Sequence, residues 1–339
     1  MIFFQNRKFF LSEVAVLAAA LLFGLGILVG FKLNRAPQSN NEADVLVRAG
    51  GYKFTNPLLD CDDSQNYSPE FSSAKAELVD FANQEQQKSN EDFIAVYYRD
   101  LNTGRWFGIN ENATFAPASL LKVPLMMAYY KMSENDPSVM GKSYIYKQDA
   151  GNPDSSQTIK PEQTLEDGKS YTVKDLIYRM IVYSDNRAFY LLTADVDLTI
   201  LKKIFNEFVL HYPTDPHDNI LVNVRDYSGF YRILYNATYL NRANSEEALN
   251  ILSQVEFKNG LVAGVPANVT VAHKFGEREV NPGVLNQLHD CGIVYYPGHP
   301  YILCVMTRGS DTQKLETTAA SISKIVYSKV DGQFGNENK

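Results

Sequence analysis

Hydrophobic and polar residues alternate with recognisable periods over most of this chain, and the two places where they do not are informative. From Val14 to Phe31 the run "VAVLAAALLFGLGILVGF" passes 18 residues without a charge and has no polar face. With Phe9 to Glu13 added, the stretch reaches 23 residues. At about 1.5 Å of rise per residue, that is enough helix to cross a hydrocarbon core of about 30 Å. A cleaved leader would have a shorter apolar region followed by small residues at a cut site. Here Phe31-Lys32-Leu33-Asn34-Arg35 follows, so the expectation is an uncleaved transmembrane anchor over 9–31, behind a short segment at 1–8. Arg7 and Lys8 on one side are matched by Lys32 and Arg35 on the other, so charge alone does not fix the topology.

The second interruption runs from Asn34 to about Gly51, polar and without periodicity, and is read as part of a flexible linker spanning 32–54. The chain from 55 to 330 shows no further linker and no internal repeat, and is expected to form one domain, with 331–339 as a frayed tail. Within it, "SSAKAELVDFANQEQQ" has helical spacing, and "FIAVYYRDLNTGRWFGIN" reads as two strands around Asn102-Thr103-Gly104. A helical middle from Ser119 to about Leu252 follows. Three short β-branched and aromatic runs come next ("NVTVAHKFG", "CGIVYYP", "PYILCVMTRG"), and then the helical "TTAASISKIVYSKV". Strands early and late with helices between predict an α+β fold: a mixed sheet carrying helices, with the domain's two ends packed near each other on it.

Composition narrows the function classes. Forty-five per cent hydrophobic and 21% charged residues are ordinary for a globular core, and a net charge of -7 without a basic run gives no nucleic-acid footprint. Three cysteines do not make a disulfide framework in a chain this long. Cys291 and Cys304 fall in apolar, strand-like runs and are read as buried filler, whereas Cys61, in a polar loop, is free to pair in an oxidising compartment. The five histidines (His211, His217, His273, His289, His299) have no metal-ligand spacing, so neither a metal nor another cofactor is expected. His273 alternates to the opposite side of its strand from Lys274 and is read as structural. The 21 tyrosines and 19 phenylalanines are read as core and interface bulk.

Candidate chemistry begins at "FAPASLLKVPLMMAYYKM", where Ser119 and Lys122 are three apart and share a helix face. The same Ser-x-x-Lys spacing occurs at Ser72–Lys75 and Ser321–Lys324, on helices without other catalytic signals. Ser119 stands apart because Pro117 fits a helix start and an apolar run follows, which leaves the first turn at an interior cleft. Pro124, just beyond that turn, is expected to kink the start. Two further motifs lie downstream: Ser184-Asp185-Asn186, which alone would also serve as a helix cap, and Lys274-Phe275-Gly276 in a strand.

Ser-x-x-Lys, Ser-Asp-Asn and Lys-x-Gly in this order are the signature of penicillin-recognising serine enzymes. From about Phe71 to Tyr327 the chain resembles the class A β-lactamase-like serine hydrolases. The resemblance implies a five-stranded antiparallel sheet flanked by helices, with an all-α subdomain. It also implies roles: Ser119 as nucleophile, Lys122 as its base, Lys274 as a second charge lowering that base's pKa, and Ser184 as proton relay to the leaving nitrogen. Asn186 would hold the substrate's side-chain amide. The backbone N–H groups of Ser119 and Glu277 would form the oxyanion hole, beside Gly276. The expected partners are a β-lactam or a peptidoglycan stem-peptide-like substrate, and a lipid bilayer for the anchor of a single-pass protein with its domain outside the cytoplasm.

Two departures bear on function. The loop after the Ser-Asp-Asn motif lacks the Glu that activates the deacylating water in class A β-lactamases; Glu207, Asp215 and Asp218 are the candidate substitutes. The family's Lys-Thr-Gly is here Lys274-Phe275-Gly276, so substrate carboxylate binding would fall to Lys274, Arg278 or Arg308. The expectation is a serine acyl-enzyme former with slow β-lactam turnover. Two other classes compete: a D,D-peptidase or transpeptidase, and a silent wall-binding domain.

Overall fold

A computed structural model describes residues 48–58, 71–88, 92–148, 157–207, 220–281 and 285–335. The anchor expected over 9–31 lies outside these, as do most of the linker, the last residues of the tail, Cys61, Asp215 and Asp218. Among the described residues no helix is long and apolar enough to cross a membrane.

The five-stranded sheet is built from Phe93–Asp100 (β1), Trp106–Ile109 (β2), Val271–Asn281 (β5), Leu285–Val294 (β6) and Tyr301–Gly309 (β7). Its order is β2-β1-β7-β6-β5. Strand runs alone allowed a mixed sheet, but every pairing is antiparallel. The reason is local. β1 and β2 are joined by a tight turn in which Asp100 Oδ1 takes the N–H groups of Asn102 (2.9 Å) and Thr103 (2.6 Å). Gly104 there has a φ of 73°, which a side chain would strain. β5 is an edge strand, so one side of its backbone is unpaired and faces the helical half of the molecule.

Alternation along β1 divides two cores. Ile94, Val96 and Tyr98 face a layer made by Ser72–Lys88 (α1) and Thr312–Phe334 (α8), while Ala95 and Tyr97 face the remaining helices. The ends of the domain meet on that first face, as expected, with Lys329 paired to Glu77 at 2.7 Å. Ser72, Lys75, Ser321 and Lys324 all lie in this layer, away from the helical half. The helical half comprises Lys122–Asn135 (α2), Val173–Val182 (α3), Asn186–Asp195 (α4), Leu198–Glu207 (α5), Val224–Asn236 (α6) and Arg242–Leu252 (α7). A two-stranded ribbon, Ser143–Ile145 (β3) with Ser170–Thr172 (β4), is appended to it.

Two expectations need correcting. The linker assigned to 32–54 ends earlier than its composition suggests. Phe54 is only 3% exposed, and Glu246 collects the N–H groups of Lys53, Phe54 and Thr55 at 2.8–3.0 Å, so the segment is docked by a carboxylate far along the chain. Cys291 and Cys304 are not mere filler: they face each other directly across β6 and β7 and form a disulfide. Register brings them together, and register cannot be read from the spacing of two cysteines.

Candidate active site

Ser119 occupies a short 3-10 turn, Ala118–Leu121, that leads into α2. Placing Pro124 at the third residue of α2 removes no helical hydrogen bond, because the first N–H groups of a helix have no partner within it. The turn is held from both sides. Tyr227 donates its hydroxyl to Leu120 O at 2.8 Å, and β5 presses against it through Gly276. A Cβ at that position would stand 2.9 Å from Pro117 O and 3.1 Å from Leu120 N, so only glycine lets the edge strand lie this close to the serine. Ala118, just before Ser119, has a φ of 48°, a left-handed conformation costing a non-glycine residue about 1–3 kcal/mol.

Ser184 shows the same strain, with a φ of 57°. The cap reading and the catalytic reading of Ser184-Asp185-Asn186 turn out to be compatible. Asp185 caps α4 through Arg187 N (2.8 Å), and its other oxygen accepts Leu165 N (3.0 Å). The kink this produces turns Ser184 and Asn186 toward Lys122. Lys122 Nζ donates to Ser184 O (2.7 Å), Ser184 Oγ (3.1 Å) and Asn186 Oδ1 (2.8 Å). Ser119 and Lys122, three residues apart, both line the cleft described below. From the sheet side, Lys274 Nζ donates to the same Ser184 Oγ at 3.0 Å and to Phe275 O at 2.9 Å. Both lysines are buried, Lys274 completely. Burial first, and the charge of Lys122 second, hold Lys274 well below the usual lysine range, with Asp290 and Glu277 opposing.

Ser119, Lys122, Asn186 and Glu277 line one cleft of about 450 Å³, together with Gln157, Phe189 and Tyr190. The segments singled out in sequence therefore converge. The last three residues were not anticipated; Phe189 and Tyr190 follow the Ser-Asp-Asn motif directly, and that proximity was the available signal. Gln157 belongs to a segment that bridges the two walls of the cleft. Its Nε2 donates to Ser184 O (3.3 Å) on one side, and two residues on Ile159 N donates to Glu277 Oε1 (2.6 Å) on the other. Desolvation raises the Glu277 carboxyl pKa above its usual value, and bonds from Ile159 and Thr158 partly offset this.

The departures from the family pattern can now be placed. Phe275 is buried against Phe257, ring centroids 4.3 Å apart, and the Lys274 ammonium lies 3.9 Å from its ring centre. Arg278 lines the cleft, whereas Arg308 lies against Phe93 and Phe115, donates to Thr114 O and is not among the residues lining it. Glu207 lines a different hollow, beside Arg99 and Trp106, so it cannot replace the missing deacylating Glu. The carboxylates lining the cleft among the described residues are Glu277 and Glu279, both on β5. His273 is buried on the sheet and bonded to Asp290 at 2.7 Å, the structural role expected of it.

Comparison with known proteins agrees with this geometry. PBP-A superposes with a TM-score of 0.62 at 18% identity, over 79% of this chain and all of its own. A β-lactamase from Sphaerobacter thermophilus gives 0.64 at 19% identity, over 76% of this chain and 96% of its own. A class A β-lactamase from Mycobacterium abscessus gives 0.62 at 20% identity, over 76% and 98%. At such identities the likeness establishes the fold. A search of curated proteins by sequence finds no match. The model of the beta-lactamase enzyme family, however, matches residues 76–330, well over half of the sequence, and on that match the chain belongs to this family of β-lactamase-like serine hydrolases.

Proposed function

We propose that Ser119 is the nucleophile of an acyl-enzyme-forming hydrolase that opens a cyclic or peptide amide and turns β-lactams over slowly. One observation carries this reading: a single hydroxyl, Ser184 Oγ, lies between two buried lysine nitrogens at 3.1 and 3.0 Å, beside the cleft that holds Ser119. Accepting from both lysines leaves the Ser184 O–H free to donate into the cleft, and the charge that Lys122 gains on taking the Ser119 proton makes the Ser184 proton easier to give up. In the acylation step Lys122, neutral, takes the proton of Ser119 as Oγ bonds to the carbonyl carbon. The C–N bond then breaks, the leaving nitrogen takes the Ser184 proton, and Lys122 returns one to Ser184. The N–H groups of Ser119 and Glu277 hold the oxyanion, each such donor being worth about 3 kcal/mol. Asn186 steadies the Lys122 ammonium and is positioned to hold a substrate amide.

Slow turnover follows from the carboxylates. Deacylation needs a base over the acyl ester, and among the described residues the carboxylates lining the cleft sit on the sheet wall, with Glu277 committed to Ile159. A point variant of PBP-A has been captured as an acyl-enzyme with penicillin G, which supports penicillins as probes. With a chromogenic cephalosporin, a burst near one equivalent followed by slow release is expected; fast sustained hydrolysis would refute the reading. The lack of a carboxylate on the helical wall, among the described residues, equally favours a peptidoglycan D,D-peptidase or transpeptidase. Release of D-alanine from a stem-peptide mimic distinguishes this from a β-lactamase. A silent wall-binding domain would show no Ser119-dependent adduct at all. The apolar run at 9–31 supports a single-pass membrane anchor with the domain outside the cytoplasm, testable by protease accessibility in intact cells.

A further inference from the structure

Away from the cleft, between α6 and the outer strands β1 and β2, lies a second hollow of about 240 Å³. We propose that this hollow, lined by Arg99, Arg225 and Arg232, is a binding site for a phosphate group. Arg225 and Arg232 lie seven residues apart on one face of α6, and Gly229 lies between them on the same face. Opposite them stand Arg99 on β1 and Trp106 on β2, with the Arg225 guanidinium 4.7 Å from the Trp106 ring centre.

Three features that disfavour a stable fold coincide at this hollow. None of the three guanidinium groups has an ion pair or hydrogen bond among the described residues. Arg225 sits in the first turn of α6, where the helix dipole repels a cation. Gly229 is a helix-interior glycine, a poor helix former whose missing side chain keeps the hollow open. The two carboxylates at the rim do not neutralise the arginines. Asp226 is held by Asn223 Nδ2 at 2.7 Å in the helix cap, and Glu207 has Lys203 at 3.7 Å. Although Arg232 reaches solvent, partial desolvation and the charge of Arg99 lower its proton affinity. A bound anion relieves all of these charges together. Three forked donors exceed what the two oxygens of a carboxylate satisfy, and suit the three or four oxygens of a phosphate.

The phosphate could be free in solution or part of a lipid headgroup, and the test separates these. The full chain in detergent is titrated by calorimetry at constant ionic strength with inorganic phosphate, and with a short-chain phosphatidate below its micellar concentration. Saturable binding is expected, weakened at least tenfold by Arg232→Gln and by Arg99→Gln. Gly229→Leu, which fills the hollow and keeps every charge, should abolish it, with thermal unfolding confirming that each variant folds. Binding of inorganic phosphate assigns a soluble ligand; binding of phosphatidate alone assigns a lipid. No saturable binding of either, or binding unchanged in Arg232→Gln and Gly229→Leu, overturns the proposal.

Discussion

Lys274 Nζ lies 3.0 Å from Ser184 Oγ, and the lysine has no solvent-exposed surface. Burying a lysine this completely is costly to the fold, and its effects on stability and on chemistry are separable by substitution. Lys274→Met keeps the bulk and removes the bond to Ser184. Losing a charged hydrogen bond of about 1.5–3 kcal/mol corresponds to a roughly ten- to hundredfold slower labelling by fluorescent penicillin.

The same substitution makes a pH prediction. The folded pKa of Lys274 is lowered, so between that value and an unfolded pKa of about 10.4 the unfolded chain binds the extra proton. Stability owed to this group therefore rises with pH across that interval. Urea midpoints at several pH values between about 7 and 10 should show the wild type gaining on Lys274→Met as pH climbs; a difference independent of pH would contradict the assignment.

Gly276→Ala tests the close approach of β5 to the nucleophile's turn. The new Cβ must displace Pro117 O or Leu120 N, both backbone atoms, so the strand moves rather than a side chain. Overpacking of this kind costs about 1–3 kcal/mol, and penicillin labelling should fall more than stability does. Equal labelling rates in the variant and the wild type would show that the contact is slack.

Glu277 latches the bridging segment through Ile159 N. Hydrogen exchange should show the Ile159 amide losing protection in Glu277→Ala and keeping it in Glu277→Gln, whose Oε1 still accepts. Since the folded pKa of this carboxyl is raised, its contribution is most favourable below its unfolded pKa and declines as pH rises through the folded value. Glu277→Gln should accordingly be no less stable than the wild type at neutral pH.

The Cys291–Cys304 disulfide closes a loop with a sequence separation of 13. Reduction should lower unfolding free energy by about 2–4 kcal/mol, and intact mass before alkylation should be short by two hydrogens. Free thiols on both cysteines in the native protein would contradict the pairing.

What could be read from sequence was whatever depends on short-range pattern. Ser119–Lys122, Ser184–Asn186 and Lys274–Gly276 each lie within one turn or strand, and their order pointed to the fold that unites them. What could not be read depends on register and on contacts made late in folding. Cys304 meets Cys291 only because of how β6 and β7 slide together, and Arg308 was indistinguishable from Arg278 until Phe93 and Phe115 closed around it. The left-handed turn at Ser184 offers Lys122 two acceptors, and no local signal announces that backbone.

Intact-protein and peptide mass spectrometry after exposure to penicillin G tests the central claim most directly. A single penicilloyl adduct on the peptide carrying Ser119, persisting through buffer exchange and missing from Ser119→Ala, is the predicted result. An unmodified wild-type protein, or an adduct that survives in Ser119→Ala, would contradict it.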